Sequence, residues 1–272
     1  MSSIEYTIAF IGAGNMAGSI IRGLMLEGFH ADSLMASAPS KNHLAPLEEK
    51  FGIRTSTNNS EVSQHADIVV LGVKPQIMQS VCEEISQNLN PNALIISLAA
   101  GVTCGNIENW LGGERAVVRC MSNTPAQVMV GASGLYANPL VNVKQKQMAE
   151  QVLGAVGITC WVDNEELIDS VTALVGSGPA YFFLFMEAMI DTACKQGIER
   201  EAATELAMQT ALGAAKLAQK SEDDLPTLRA RVTSPKGTTE RAIASFEANN
   251  LRGIVEDAMN ACAARARELA GK

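Results

Sequence analysis

The sequence predicts an α/β chain: a doubly wound sheet over residues 1–163, followed by an all-α domain over residues 164–272. Three observations carry this. Short apolar runs alternate with helical patterns through the first half, as in a parallel sheet covered on both faces. A glycine-rich turn joins the first of these runs to the first helical pattern. Beyond about Val162 the strand pattern stops and long helical patterns take over.

Taken in order, Tyr6–Ile11 is a short apolar run ended by Gly12, which predicts a buried strand. Ile20, Ile21, Leu24 and Met25 give Asn15–Glu27 helical spacing. Leu34–Ser37, Asp67–Val73, Ala93–Leu98 and Ala116–Met121 complete five predicted strands, with a helix over Gln76–Leu89 between two of them. In the second half, Leu167–Lys195, Glu199–Gln219, Glu240–Asn249 and Leu251–Leu269 read as helices. Ile254, Ala258, Cys262 and Leu269 fall near one face of the last of these. So much apolar surface on about a hundred residues predicts burial against a second copy, a dimer or a multiple of dimers.

The turn Gly12-Ala13-Gly14-Asn15-Met16-Ala17 has the G-x-G-x-x-G/A form between a strand and a helix. This is the dinucleotide-binding arrangement of the Rossmann type: a tight turn at Gly12, close backbone approach at Gly14, and a small residue where helix meets strand. Ile11 to Met16 are therefore candidate cofactor contacts. The end of the second strand, Ser37-Ala38-Pro39-Ser40-Lys41-Asn42, carries no acid to take a ribose 2′-hydroxyl. Ser37, Ser40 and Lys41 offer hydroxyls and a cation that suit a 2′-phosphate, which favours NADP over NAD. Val73-Lys74-Pro75 and Ala99-Ala100 follow later strands, where ligand crevices of open sheets lie.

A net charge of −8 and the lack of any basic run oppose nucleic-acid binding. Cys82, Cys104, Cys120, Cys160, Cys194 and Cys262 form no C-x-x-C pair, so reduced thiols are expected and neither a metal nor a disulfide framework. The N-terminus lacks a signal-type pattern, and the uncharged run Val171–Met186 is shorter than a membrane span needs. The expected location is the cytoplasm, with no membrane partner. His30, His43 and His65 lie away from strand C-termini and read as surface or capping residues. That removes the histidine acid on which hydroxy-acid dehydrogenases rely.

The second chemical signal is Val232-Thr233-Ser234-Pro235-Lys236-Gly237-Thr238-Thr239, which runs straight into a helical pattern. Four hydroxyls and free backbone N–H groups at a helix start suit a carboxylate. Upstream, Glu222-Asp223-Asp224 reads as a solvated helix start in which Glu222 can face a ligand amine. Ser177-Gly178-Pro179-Ala180 reads as another helix start, with Pro179 in its first turn.

Together these motifs resemble the pyrroline-5-carboxylate reductase family over essentially the whole chain. The resemblance rests on the glycine turn, Val73-Lys74-Pro75, Ala99–Thr103, Arg119–Pro125, Gly176–Tyr181 and Thr233–Thr239. It implies reduction of the cyclic imine 1-pyrroline-5-carboxylate to L-proline with NADPH, NADH being a second donor. It also implies a Rossmann domain plus a helical dimerisation domain, with substrate bound at the dimer interface. It adds Asn59 as a cofactor contact, and Glu222, Thr238 and Thr239 as substrate contacts. On that basis Ser234 and the Gly237 and Thr238 N–H groups would hold the substrate carboxylate, and the Thr239 hydroxyl would serve the ring nitrogen as the catalytic group. Members commonly carry Gly where this chain has Lys236, a difference that matters if the position needs a positive φ. Two other readings share parts of the pattern. One is a β-hydroxyacid-type NADP dehydrogenase, disfavoured because Val171–Cys194 holds no catalytic lysine. The other is a dinucleotide-sensing module without turnover.

Overall fold

The computed structural model describes residues 6–270, so residues 1–5 and 271–272 of the two predicted domains lie outside it. The chain runs β1 (Ile8–Ile11), α1 (Asn15–Leu26), β2 (Leu34–Ser37), α2 (Lys41–Phe51), β3 (Arg54–Ser56), α3 (Asn59–Ser63), β4 (Ile68–Leu71), α4 (Pro75–Ile85), β5 (Leu94–Ser97) and α5 (Cys104–Trp110). It continues through β6 (Val117–Ser122), β7 (Gly131–Ala137), α6 (Val143–Gly154) and β8 (Gly157–Trp161). The remainder is helical: α7 (Leu167–Val171), a π turn over Thr172–Gly176, α8 (Gly178–Lys195), α9 (Arg200–Lys220), α10 (Leu225–Arg231), α11 (Thr238–Ala248) and α12 (Leu251–Leu269).

The strands form one eight-stranded sheet in the order β3-β2-β1-β4-β5-β6-β7-β8. Alternation of side chains along the buried strands sends Ile8 and Phe10 to one face and Ala9 and Ile11 to the other. The first face packs on Ile20, Ile21 and Leu24 of α1, the second on Met78, Val81 and Ile85 of α4. Each such side chain contributes about 1.5–3 kcal/mol by leaving water. β1 is flanked by β2 on one side and β4 on the other, all parallel. The strand order therefore reverses at β1/β4, and the crevice beyond their C-terminal ends is where open α/β sheets bind ligands.

The five predicted strands are all present, but the sheet is larger and not wholly parallel. β3 is a three-residue polar edge strand without an apolar run to announce it. β7 pairs antiparallel with β6, Arg119 opposite Tyr136, and opens on Gly131-Ala132-Ser133-Gly134, whose small side chains give little strand signal. β8 adds parallel to β7 and is only partly covered. The short helix α10 was likewise not apparent from the pattern.

By contacts the chain divides into one unit comprising residues up to Ser177 together with those from Cys262 on, and a second unit, Gly178–Ala261. α7 and the π turn thus belong with the sheet, because Ile168, Asp169 and Ala173 are each buried to 1 % exposure. A Cβ on Gly134 of β7 would stand only 2.5 Å from Val171 Cγ1. Arg119, 1 % exposed, ties the same region: its guanidinium meets Glu165 at 3.2 Å and Asp169 at 3.5 Å. Glu165 also accepts the Cys104 N–H at the start of α5, at 2.8 Å.

The helical run Leu167–Lys195 is 29 residues, with a mean hydropathy of 1.4 over its most apolar 18-residue window, of which only 11 % is buried. The length expected from Val171–Met186 is therefore corrected: by length and composition alone this helix is long enough to cross a bilayer. The π turn keeps it continuous through Gly176 instead of ending it. Phe182, Phe183, Leu184 and Phe185 are exposed along α8.

Candidate functional site

In the sheet unit, the glycine turn is fixed from below by β2. The Gly12 and Ala13 N–H groups both donate to the Ser37 carbonyl, each at 3.0 Å, and the Gly14 N–H closes onto the Gly12 carbonyl at 2.9 Å. Gly12 has φ +92°, and a Cβ there would meet Val73 Cγ1 at 2.8 Å and the Gly72–Val73 backbone at 2.9 Å. Gly14 is the N-cap of α1, has open space on its Cβ side, and is followed by no acidic residue in the first turn. The leading N–H groups of α1 are thus presented to an anion over an unobstructed backbone. A Gly12→Ala variant is expected to strain this turn by about 1–3 kcal/mol and to weaken dinucleotide binding by about tenfold or more in a fluorescence titration. Unchanged affinity would show that the turn does not position the ligand.

Around this turn the structure brings most of the predicted contacts to one edge. Ile11 is buried at the end of β1, and Met16 is half-buried behind the loop. Ser37 is fully buried, and its hydroxyl donates to Asn59 Oδ1 at 2.8 Å, while Asn59 Nδ2 donates to Glu84 at 2.9 Å. Asn59, which only the family resemblance had singled out, therefore sits directly against the end of β2. Ser37 acts through its carbonyl and this inward bond, not as an exposed hydroxyl. Ser40 is half-buried and Lys41 exposed at the start of α2, and no carboxylate lies between residues 37 and 42. Beyond β4, Val73 is half-buried, Lys74 is the exposed N-cap of α4 and Pro75 its first residue. Beyond β5, Ala99 is buried and Ala100 exposed.

In the helical unit, Asp224 caps α10 by accepting the Thr227 N–H at 2.9 Å, and Asp223 reaches Arg231 Nη2 at 3.1 Å. Glu222 is exposed beside this anchored pair. The chain leaving α10 makes a tight turn in which the Gly237 N–H donates to the Ser234 carbonyl at 3.0 Å. This corrects one expectation: the Gly237 N–H closes the turn and is not left for a carboxylate. Gly237 is instead the N-cap of α11, and a Cβ on it would stand 2.9 Å from the Ser234 carbonyl oxygen. α11 begins at Thr238, two residues before the pattern predicted, so Thr238 and Thr239 are its first residues and their N–H groups have no intrahelical acceptor. Thr239 is half-buried; Thr238 and Ser234 are exposed.

Lys236 has φ +60°, in the left-handed region, and its N–H is taken by Glu240 Oε2 at 2.8 Å. The position does require a positive φ, and a lysine holds it. Since a side chain there is disfavoured by about 1–2 kcal/mol, Lys236→Gly is expected to raise stability by about 1 kcal/mol after the larger unfolded-state entropy of glycine is subtracted. Urea denaturation reads this directly, and a destabilised variant would contradict it.

No cluster of His, Cys, Asp and Glu that could hold a metal is found among the described residues. The six cysteines are unpaired. Burial pushes the Cys82 and Cys120 thiols up to about 12, and a neighbouring Glu83 adds to the effect at Cys82, so neither offers a thiolate nucleophile. His30, His43 and His65 are exposed.

A glycine turn over a β1/β4 switch point, joined in one chain to a helical unit with a hydroxyl-rich helix start, defines a two-unit dinucleotide-dependent oxidoreductase. Residues 165–269 match the family profile described as pyrroline-5-carboxylate reductase dimerisation, and residues 7–101 match one described as NADP oxidoreductase, coenzyme F420-dependent. The pyrroline-5-carboxylate reductase of Pseudomonas aeruginosa is 53 % identical over 263 residues, spanning 97 % of this chain and 96 % of that one. The solved pyrroline-5-carboxylate reductase of Coxiella burnetii superposes with a TM-score of 0.94 at 44 % identity, over 97 % of this chain and 98 % of that one. That of Plasmodium falciparum, solved with NADP bound, gives 0.85 at 30 % identity over 98 % of each chain. The chain belongs to the pyrroline-5-carboxylate reductase family.

Proposed function

We propose that this protein reduces 1-pyrroline-5-carboxylate to L-proline with NADPH. The observation that carries the reading is end-to-end similarity to reductases of that name, on a chain that keeps both the glycine turn and the Ser234–Thr239 helix start. The residues fit the cofactor. The open N-terminus of α1 suits the pyrophosphate, and the stretch from Ser37 to Asn42 has no carboxylate to repel a 2′-phosphate. NADH would serve as a weaker donor.

When bound, NADPH supplies the hydride that reduces the imine carbon. The nitrogen needs a proton as well, and a ring iminium can bring its own, so no strong acid is demanded of the protein. The exposed histidines and the buried Cys82 and Cys120 thiols agree with that. Thr239, half-buried at the start of α11, would hydrogen-bond the ring nitrogen and orient it; a threonine hydroxyl is too weak an acid to act by pKa alone. The Ser234 hydroxyl and the Thr238 N–H would hold the carboxylate, with Glu222 near the ring amine. Gly237 contributes by shaping this turn.

The exposed apolar run of α8 lies inside the segment matched to the dimerisation profile. We read it as a surface buried against a second subunit, not in a bilayer. Unpaired cysteines favour a reducing compartment, the cytoplasm. The test of the reading is NADPH oxidation at 340 nm with pyrroline-5-carboxylate as sole substrate. Turnover with that imine is expected, and no NADP+ reduction when a β-hydroxyacid is offered with NADP+ instead; NADP+ reduction by a β-hydroxyacid, or no turnover in either direction, would point to the competing classes.

A further inference from the structure

We infer that His43 determines preference for the 2′-phosphorylated cofactor by orienting Ser40, an inference that rests on the NADP reading above. Ser40 occupies the N-cap of the eleven-residue helix α2, yet its side chain caps no backbone N–H. Its Oγ is paired instead with His43 Nδ1 at 2.8 Å. A capping serine would accept from the backbone in the first turn and contribute about 1 kcal/mol to the helix. Here that stabilisation is forgone for a contact between a half-buried hydroxyl and an exposed imidazole.

The arrangement has a consequence for the hydroxyl. With Nδ1 protonated, the imidazole donates to Ser40 Oγ, and the hydroxyl proton is left to donate outward. The neighbouring side chain is Lys41, and the first turn of α2 holds no acidic residue. His43 also lines a cavity of about 430 Å³ shared with Ala13, Gly14 and Asn15 of the glycine turn. Its charged lining residues, Arg22 and Lys50, are cations, and no carboxylate borders it. The imidazole thus stands on the cofactor side of α2, in a field favouring a phosphate, and holds the hydroxyl that an oxygen of that phosphate would accept from. His43 is accordingly a positioning residue, with Ser40 and Lys41 making the contact.

Calorimetric titration of the full-length protein with 2′,5′-ADP and with 5′-AMP isolates this effect from catalysis. The wild type should prefer 2′,5′-ADP. His43→Ala should weaken 2′,5′-ADP by about tenfold, the effect of one hydrogen bond to a charged group, and leave 5′-AMP unchanged. His43→Asn, whose amide nitrogen stands near the position of Nδ1, should restore most of the preference. Unaltered 2′,5′-ADP affinity in His43→Ala, or equal losses for both ligands, would overturn the role of His43 while leaving the NADP reading intact. A wild type that binds the two ligands equally would overturn the NADP reading, and the inference with it.

Discussion

Thr239→Ala should lower turnover by about 10²-fold while the protein stays folded and binds its dinucleotide normally. The expectation follows from what the molecule lacks as much as from what it has. Its histidines are exposed, and burial holds the thiols of Cys82 and Cys120 protonated. The demand on the protein is then to hold an imine in line for hydride transfer, an orientation effect worth several kcal/mol when geometry is right. Thr239 is suited to this because it is half-buried at the beginning of α11, where the turn Ser234–Gly237 and the Lys236–Glu240 bond fix the backbone. Thr239→Ser, which keeps the hydroxyl, should retain most activity. Steady-state kinetics on both variants decides: near-wild-type turnover in Thr239→Ala removes the residue from the mechanism.

Arg119→Met should destabilise the sheet unit by about 3–5 kcal/mol. Arg119 is 1 % exposed, and its guanidinium sits between Glu165 and Asp169, at 3.2 and 3.5 Å. Methionine keeps much of the volume but leaves the buried Asp169 carboxylate without this counter-charge, and a buried charge so exposed to low dielectric is far more destabilising than a lost surface pair. The damage should be largely reversed in the triple variant Arg119→Met, Glu165→Gln, Asp169→Asn, which removes the charges together. Guanidinium unfolding followed by circular dichroism measures both. A loss below about 1 kcal/mol for the single variant would mean that water or rearrangement relieves the site.

These two residues mark how far the sequence could be read. The glycine turn was legible because its residue types are dictated by local backbone geometry: Gly12 leaves no room for a Cβ, and β1 and α1 on either side announce themselves by apolar period. A positive φ at Lys236 was suggested only through the family resemblance, in which glycine is common at this position, and the backbone there does adopt φ +60°. Thr238 and Thr239 were singled out by their density of hydroxyls, although the helix they open was placed two residues too late. What escaped depends on partners distant in sequence. Nothing in the pattern pairs Arg119 with Glu165 and Asp169 across some fifty residues, or packs Val171 against the bare Gly134 of β7. β3 and β8 lack continuous apolar runs because they are edge strands, so the same physics that leaves them partly solvated hides them. Ser37 and Gly237 show a finer limit. Both fall at the expected places, but their polar groups are spent on the fold, on Asn59 and on Ser234.

The central claim is that hydride passes to the carbon of a cyclic imine on this protein. The most direct measurement is isotopic: incubation of the full-length protein with pyrroline-5-carboxylate and NADPH deuterated at the transferred position of nicotinamide C4, followed by mass spectrometry and NMR of the product. The account predicts L-proline carrying a single deuterium at C5, formed in step with NADPH oxidation. NADPH consumption without labelled proline, or no consumption at all with a protein that binds the dinucleotide, would contradict it.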